Sequence, residues 1–236
     1  MEQGEAQIAI EPWDVRQALG ELGLTLERLQ ETVRAGELER VSCTSFDPPS
    51  YPGTAAWGHA NRYFRATHAP DGWKSFNKNN LPLTLHPNRQ IAILITSGSP
   101  GTGDLKRNPT TKHSKGPMTV SQIRANRQAS IFDLLEGGES SQLVNAPSRF
   151  SPISDEDTLI TWCLLIYAEF YPRDENIGTH VAMSELSLPA AVDEHGYVCK
   201  WTKRIILPPV RLDDVPTRRD YEDEDEGEID VPVARK

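Results

Sequence analysis

"TLITWCLLIYAEFY", residues 158–171, is the most hydrophobic stretch of this chain. Its β-branched and aromatic side chains disfavour a helix, so it predicts a buried central strand. On its C-terminal side, "HVAMSELSLP" (180–189) and "YVCKWTKRIILP" (197–208) predict a hairpin closed across "DEHG" (193–196), stopped by the prolines at 208 and 209. On its N-terminal side, residues 139–157 are polar and read as a mobile connector. A helix precedes them. It starts at Thr119 or Ser121, carries Val120, Ile123, Ile131 and Leu134 as its apolar stripe, and ends at the glycines 137 and 138. Further upstream, "LPLTLHPNRQIAILIT" (81–96) predicts a hairpin bent at "HPNR".

The N-terminal third is helical in pattern. Apolar residues at 15, 19, 22, 26, 29 and 33 keep spacings of four and three, interrupted by Gly20 and Gly23. Two short helices follow, the second capped by Thr25 and ended by Gly36. The pair looks like a helix-turn-helix, but Glu21, Glu27 and Glu31 on its outside would meet DNA phosphates with the wrong sign. A packing or partner-docking hairpin fits better. "FDPPSYPG" (46–53) is a non-helical connector. A helix over 54–67 follows, with Trp57, Ala60 and Phe64 on one face.

The order of these elements predicts an α+β fold. It has a mostly antiparallel sheet of about five strands, helices packed on one face, and an N-terminal helical hairpin. The expected units are a hairpin over 1–45, a core domain over 46–211, and a disordered acidic tail over 212–236.

Charge is distributed unevenly. The chain's net charge is -9, yet residues 46–131 hold 11 Lys and Arg against 3 Asp and Glu. A local field rather than the net charge captures a nearby anion. Within that block lies "TSGSPGTGDLKRNPTTKHSKGPM" (96–118), nearly without apolar side chains and expected to be mobile. Long loops of this kind often carry function. Lys106, Arg107, Lys112, His113 and Lys115 oppose Asp104 alone, and Arg124 and Arg127 continue the pattern on the next helix. The same block holds 7 of the chain's 17 aromatics within residues 46–76. Cations beside aromatic rings suit single-stranded nucleic acid, phosphates on the one and bases on the other. Trp57 and Phe64 fit a buried stripe. Tyr51, Trp73 and Phe76, flanked by Pro, Gly, Lys and Asn, are the candidates for exposure.

Catalytic and metal motifs fail on inspection. "GSPGTG" (98–103) lacks the Lys and Ser/Thr of a phosphate-binding loop and does not run into a helix as a dinucleotide fingerprint does. There is no CxxC, HExxH or GxSxG. Asp157, Glu169 and Glu185 are strand-associated carboxylates without the lysine spacing of a nuclease, and their expected place is the solvent face. His113, between Lys112 and Lys115, is the one catalytic candidate, as a general acid in phosphoryl chemistry. No cofactor or metal site is expected. The three cysteines are odd in number and far apart, which fits free thiols and a cytoplasmic location. No run approaches the roughly 20 apolar residues of a membrane span, and the start lacks the pattern of a signal peptide.

Eight carboxylates lie between Asp220 and Asp230. This tail resembles the acidic C-terminal segments of single-strand-binding proteins over about a dozen residues, with "EIDVPV" near the place of their hydrophobic tip; here "ARK" follows. The resemblance implies a segment that docks partner proteins or competes with nucleic acid for the basic block.

The expectation is therefore a non-enzymatic nucleic-acid-binding protein, single-stranded or non-specific in its reading. One alternative is an adaptor that docks protein partners through its acidic tail or N-terminal helices. The other is a nucleic-acid-acting hydrolase with a dispersed site.

Overall fold

The computed structural model describes residues 6–78, 81–87, 91–117, 119–121, 123, 126, 159–175 and 177–216. Of the expected tail over 212–236, residues 212–216 belong instead to a strand paired in the sheet, and residues 217 onward lie outside the described residues, as do the polar connector 139–157, Arg124 and Arg127. The elements are β1 (Gln7–Ala9), α1 (Pro12–Glu21), α2 (Leu26–Ser42), α3 (Tyr51–His68), β2 (Lys74–Lys78), β3 (Leu81–Leu85), β4 (Ile91–Ser97), β5 (Ile160–Pro172), β6 (Ile177–Val192) and β7 (Val198–Pro216). The strands form one seven-stranded sheet in the order β1-β7-β6-β5-β4-β3-β2. None of the described helices is long and apolar enough to cross a membrane.

The sheet is mixed, with seven strands where about five, mostly antiparallel, were expected. β4 and β5 run parallel, as do β1 and β7. A parallel neighbour needs a long crossover rather than a turn. Here the whole stretch between Ser97 and Ile160 is that crossover, and no hydrophobic pattern announces where it returns. The two extra strands are short. "QIA" has three residues, and "KSFNK" has one apolar residue and no alternation. Both hairpins form as expected, β3 on β4 and β6 on β7. β5 is the middle strand, buried from Thr161 to Leu165 on both faces.

Pro208 and Pro209 do not stop the hairpin. Leu207 pairs with Ser184 and Val210 with Ala182, so the two prolines face Met183 alone in a β-bulge. On its other side β7 meets β1 only at residues 203–205, so neither proline has a described strand partner there.

One face of the sheet is covered by α1, α2 and α3. Val15, Leu19, Leu29 and Phe64 pack with Ile93, Ile95, Trp162, Leu164 and Ile205 in a single cluster. Gly36 does not end α2, which runs on to Ser42. A Cβ at Gly36 would stand 2.8 Å from the Ala56 carbonyl, so the missing side chain is what lets α2 approach α3. α3 starts at Tyr51, inside the expected connector, with Pro52 in the first turn, where its lack of an amide hydrogen costs nothing. Helical structure is not confined to this face. Ile123, at a helical position, packs on the other face against Leu83, Leu94, Cys163, Leu165 and Trp201. Nearby, Asn126 exchanges two 2.8 Å bonds with the Thr161 backbone, where β6 has not yet begun to pair with β5.

Trp73 is buried, contrary to expectation. Its ring meets Phe64, His68 and His86 edge-on, with centroids 5.8, 5.4 and 4.7 Å away. His68 donates Nδ1–H to the Phe64 carbonyl at 2.8 Å, and its Nε2 is buried without a hydrogen-bond partner among the described residues. Burial, the largest influence, pushes its pKa below the ordinary 6.5. The neutral ring is the folded form, so stability is fully present above pH 6.5. It is lost as pH falls below 6.5, because the unfolded chain takes up the proton more readily than the folded one. Between pH 7.5 and 5.5 the wild type should lose more stability than His68→Phe, measured by urea unfolding at both values. Equal losses would show that His68 is not the source.

Candidate functional site at the carboxyl end of β4

The loop after β4 is not free. Gly98 and Thr111 form a β-bridge. Lys112 N donates to Ser97 O at 2.9 Å, Ser99 N to Thr110 O at 2.9 Å, and Thr111 N to Val198 O at 3.1 Å. Trp201 Nε1 donates to the Pro109 carbonyl at 2.8 Å. The glycines and prolines shape a folded excursion whose inner residues Thr102, Pro109 and Thr111 are buried. The expected mobility rested on the lack of apolar anchors, and the anchors here are polar and come from β6 and β7.

The chief anchor is a buried ion pair. Arg204 on β7 and Glu185 on β6 are both 0% exposed in their side chains. Arg204 donates Nε to Glu185 Oε1 at 3.0 Å and Nη2 to Oε2 at 2.6 Å. Its remaining donors reach up into the loop, Nη1 to the Arg107 carbonyl at 3.1 Å and Nη2 to the Asp104 carbonyl at 3.0 Å. Glu185 also accepts from Gly103 N at 2.8 Å and Ser187 Oγ at 2.7 Å. Glu185 was expected on the solvent face. Its carboxylate instead turns inward because Arg204, two residues out of register across the hairpin, supplies the compensating charge. Burying two charges adds little net stability even when they are fully bonded, so the pair's main effect is on the loop's conformation.

That conformation presents Lys106, Arg107, Lys112 and His113 to solvent. Arg107 donates to the Asp104 carboxylate at 2.6 Å, and this bond, first among several, holds Asp104 below the usual carboxylate range. Lys115 is half-buried, with Nζ 2.6 Å from Thr96 Oγ1. Burial lowers its pKa, and burial pushes the neighbouring Cys163 thiol up to about 12, which makes that sulfur unreactive. Of the expected aromatics, Tyr51 is exposed at the start of α3, Phe76 is half-buried against the loop-side cluster, and Trp73 is withdrawn into the core. His113 stands exposed in the loop; its carbonyl accepts from Thr111 Oγ1 at 3.0 Å.

Beside the loop's root lies a cleft lined by Glu37, Arg40, Ala56, Trp57, Ile95, Thr96, Ser97 and Ile166. It sits where β4 ends next to its parallel neighbour, the end of a parallel pair at which ligands commonly bind. Glu37 is buried, 2.7 Å from both Arg40 Nε and His180 Nε2. Burial alone would raise its pKa, but the His180 hydrogen bond together with the charge and hydrogen bond of Arg40 outweighs it and holds the carboxyl below its ordinary value. Trp57 donates Nε1 to the Ile95 carbonyl at 3.1 Å while 41% of the residue stays exposed. Lys112 through its backbone amide and Lys115 through Nζ thus bond Ser97 and Thr96, two of the residues that line this cleft.

Sequence reading missed Arg40, Glu37, His180 and Arg204, and placed Glu185 on the solvent face. The available signal was a charge inside an apolar run, as in "KRIIL" and "SELSL". Glu169 keeps its expected exposed place, and the Tyr167 hydroxyl donates to it at 2.6 Å. Among the described residues, no three of His, Cys, Asp or Glu gather to hold a metal ion. No protein-family model, curated protein or solved structure matches the chain.

Proposed function

We propose that this protein is a non-enzymatic nucleic-acid-binding protein that takes the phosphate backbone on the loop after β4. The carrying observation is the buried Arg204–Glu185 pair, whose spare donors fasten a loop with four exposed basic side chains, Lys106, Arg107, Lys112 and His113. A fixed array of cations neutralises phosphates without first losing loop entropy. Replacing Lys106 and Lys112 together with Glu should weaken binding of a labelled single-stranded oligonucleotide by at least about tenfold at low salt, since two phosphate contacts become repulsive. An unchanged affinity would refute the loop as the binding element.

A second reading has its own support. Ile8, Ile10 and Trp13 are exposed together around β1, at the edge of the sheet. Exposed apolar side chains at a sheet edge suit a protein partner, as an adaptor would require. Failure of every oligonucleotide to bind, with Trp13→Ser abolishing a protein association, would favour it.

A further inference from the structure

We propose that residues 229–233 of this chain, "IDVPV", add as an antiparallel strand to the outer edge of β1 and so hold the acidic run 220–228 over the cations of the loop. The covering of the loop rests on the nucleic-acid reading above; the strand does not. Among the described residues β1 pairs with β7 alone, so its outer amide hydrogens and carbonyls have no strand partner. Open sheet edges are normally guarded by charge or proline. The opposite edge, β2, carries Lys74 and Lys78, and the stretch of β7 past β1 carries Pro208, Pro209, Asp213 and Asp214. β1, "QIA", has neither guard. Ala9 packs with the helix-side cluster and Ala6 with the cluster on the opposite face. Strand alternation therefore puts Ile8 and Ile10 on that opposite face, where they stay 40% and 41% exposed. Three residues offer few hydrogen bonds, so an occupant has to cover these two side chains as well.

Length and pattern select the chain's own segment. β7 ends at Pro216, and a chain turning back there runs antiparallel to β7 and, because β1 and β7 are parallel, to β1 as well. Retracing β7 to Ile205, the partner of Ala9, takes eleven residues and the turn about three, which brings Asp230 beside Ala9. Val231 then stands opposite Ile8 and Ile229 opposite Ile10, apolar against apolar on one face. Pro208 and Pro209 withhold amide hydrogens along the way, so pairing starts at β1. Pro232 is tolerated because the added strand is itself the new edge. Charge agrees. Seven of the eight carboxylates in 220–230 precede Ile229. Ile8 is in register with Arg204, whose guanidinium holds the carbonyls of Asp104 and Arg107. An acidic run that enters β1 from this side passes the exposed Lys106 and Arg107. A bound nucleic-acid strand lifts the run from these cations and leaves the anchor on β1.

The test is hydrogen exchange on the full chain without ligand, comparing the wild type with Ile229→Asp/Val231→Asp. Residues 6–10 should exchange about tenfold or more slowly in the wild type, because the variant loses the added strand's hydrogen bonds. Ile8→Lys/Ile10→Lys, a change at two exposed positions, should in turn speed exchange at residues 229–231. Equal rates at 6–10 in wild type and variant would overturn the strand. Protection that grows with protein concentration would overturn it too, since the occupant is then a second copy. The covering of the loop is read by affinity for a labelled single-stranded oligonucleotide at low salt. Ile229→Asp/Val231→Asp adds two carboxylates and should nonetheless bind about threefold tighter, because the acidic run is no longer held over the loop. Unchanged or weaker binding would overturn the covering and leave the strand intact. An oligonucleotide that binds neither protein would overturn the nucleic-acid reading and the covering together, while exchange at 6–10 still decides the strand.

Discussion

Arg204→Ala is expected to cost about 3–5 kcal/mol in equilibrium urea unfolding, the penalty for leaving a buried charge without its partner. The stranded group is Glu185, whose side chain has no exposure and whose remaining donors, Gly103 N and Ser187 Oγ, are neutral. The carbonyls of Asp104 and Arg107 lose their donors in the same step. Replacing both partners by apolar residues of similar volume, Glu185→Leu with Arg204→Met, removes the charge problem and should return most of the lost stability. It does not restore the bonds into the loop. The double variant is therefore expected to fold nearly as well as the wild type and to bind nucleic acid less tightly. A single variant within about 1 kcal/mol of wild type, or a double variant with full affinity, would separate the ion pair from the loop's function.

The second large effect is that of salt. Lys106, Arg107 and Lys112 are exposed on the loop, and Arg40 lines the cleft beside it. If these four cations neutralise about four phosphates of a single strand, log affinity falls against log salt with a slope near -3. Between 50 and 200 mM monovalent salt the dissociation constant should rise roughly 50-fold. Part of the potential gain is already offset in the free protein, because Arg107 pairs with Asp104 and Arg40 with Glu37. A slope close to zero would mean that binding, if observed, is not made by cations on phosphate. Anisotropy of a labelled strand at four salt concentrations gives the slope.

The strands of the core were legible because their causes are local. β5 is apolar on both faces and so declares itself a middle strand, and the β3–β4 and β6–β7 hairpins carry their turns in the sequence. The parallel pairing of β4 with β5 was not legible, because it depends on the path of the crossover between Ser97 and Ile160 and not on either strand. The prolines of β7 misled for a related reason. A proline forbids a ladder bond only where one is needed, and at residues 208 and 209 a bulge and a free edge remove the need. Gly36 looked like a helix end, whereas its lack of a side chain serves the contact with Ala56.

The candidate site divides the same way. The exposed loop cations were visible as a one-sided charge run. The groups that hold the loop were not, since Glu185 and Arg204 are joined only by the register of the hairpin across residues 193–196. Trp57 and Trp73 exchanged their expected places. Trp57 was assigned to the buried stripe of α3 and lies at its margin, while Trp73, flanked by Gly72 and Lys74, is enclosed by two histidines distant in sequence or one turn behind.

Hydrogen exchange of the full chain, with and without a saturating single-stranded oligonucleotide at 50 mM salt, reports where a strand lies. The bound state should slow exchange at residues 104–116, with β1 and α1 unchanged. No protection anywhere, or protection confined to β1 and α1, would contradict the assignment of nucleic acid to the loop at the end of β4.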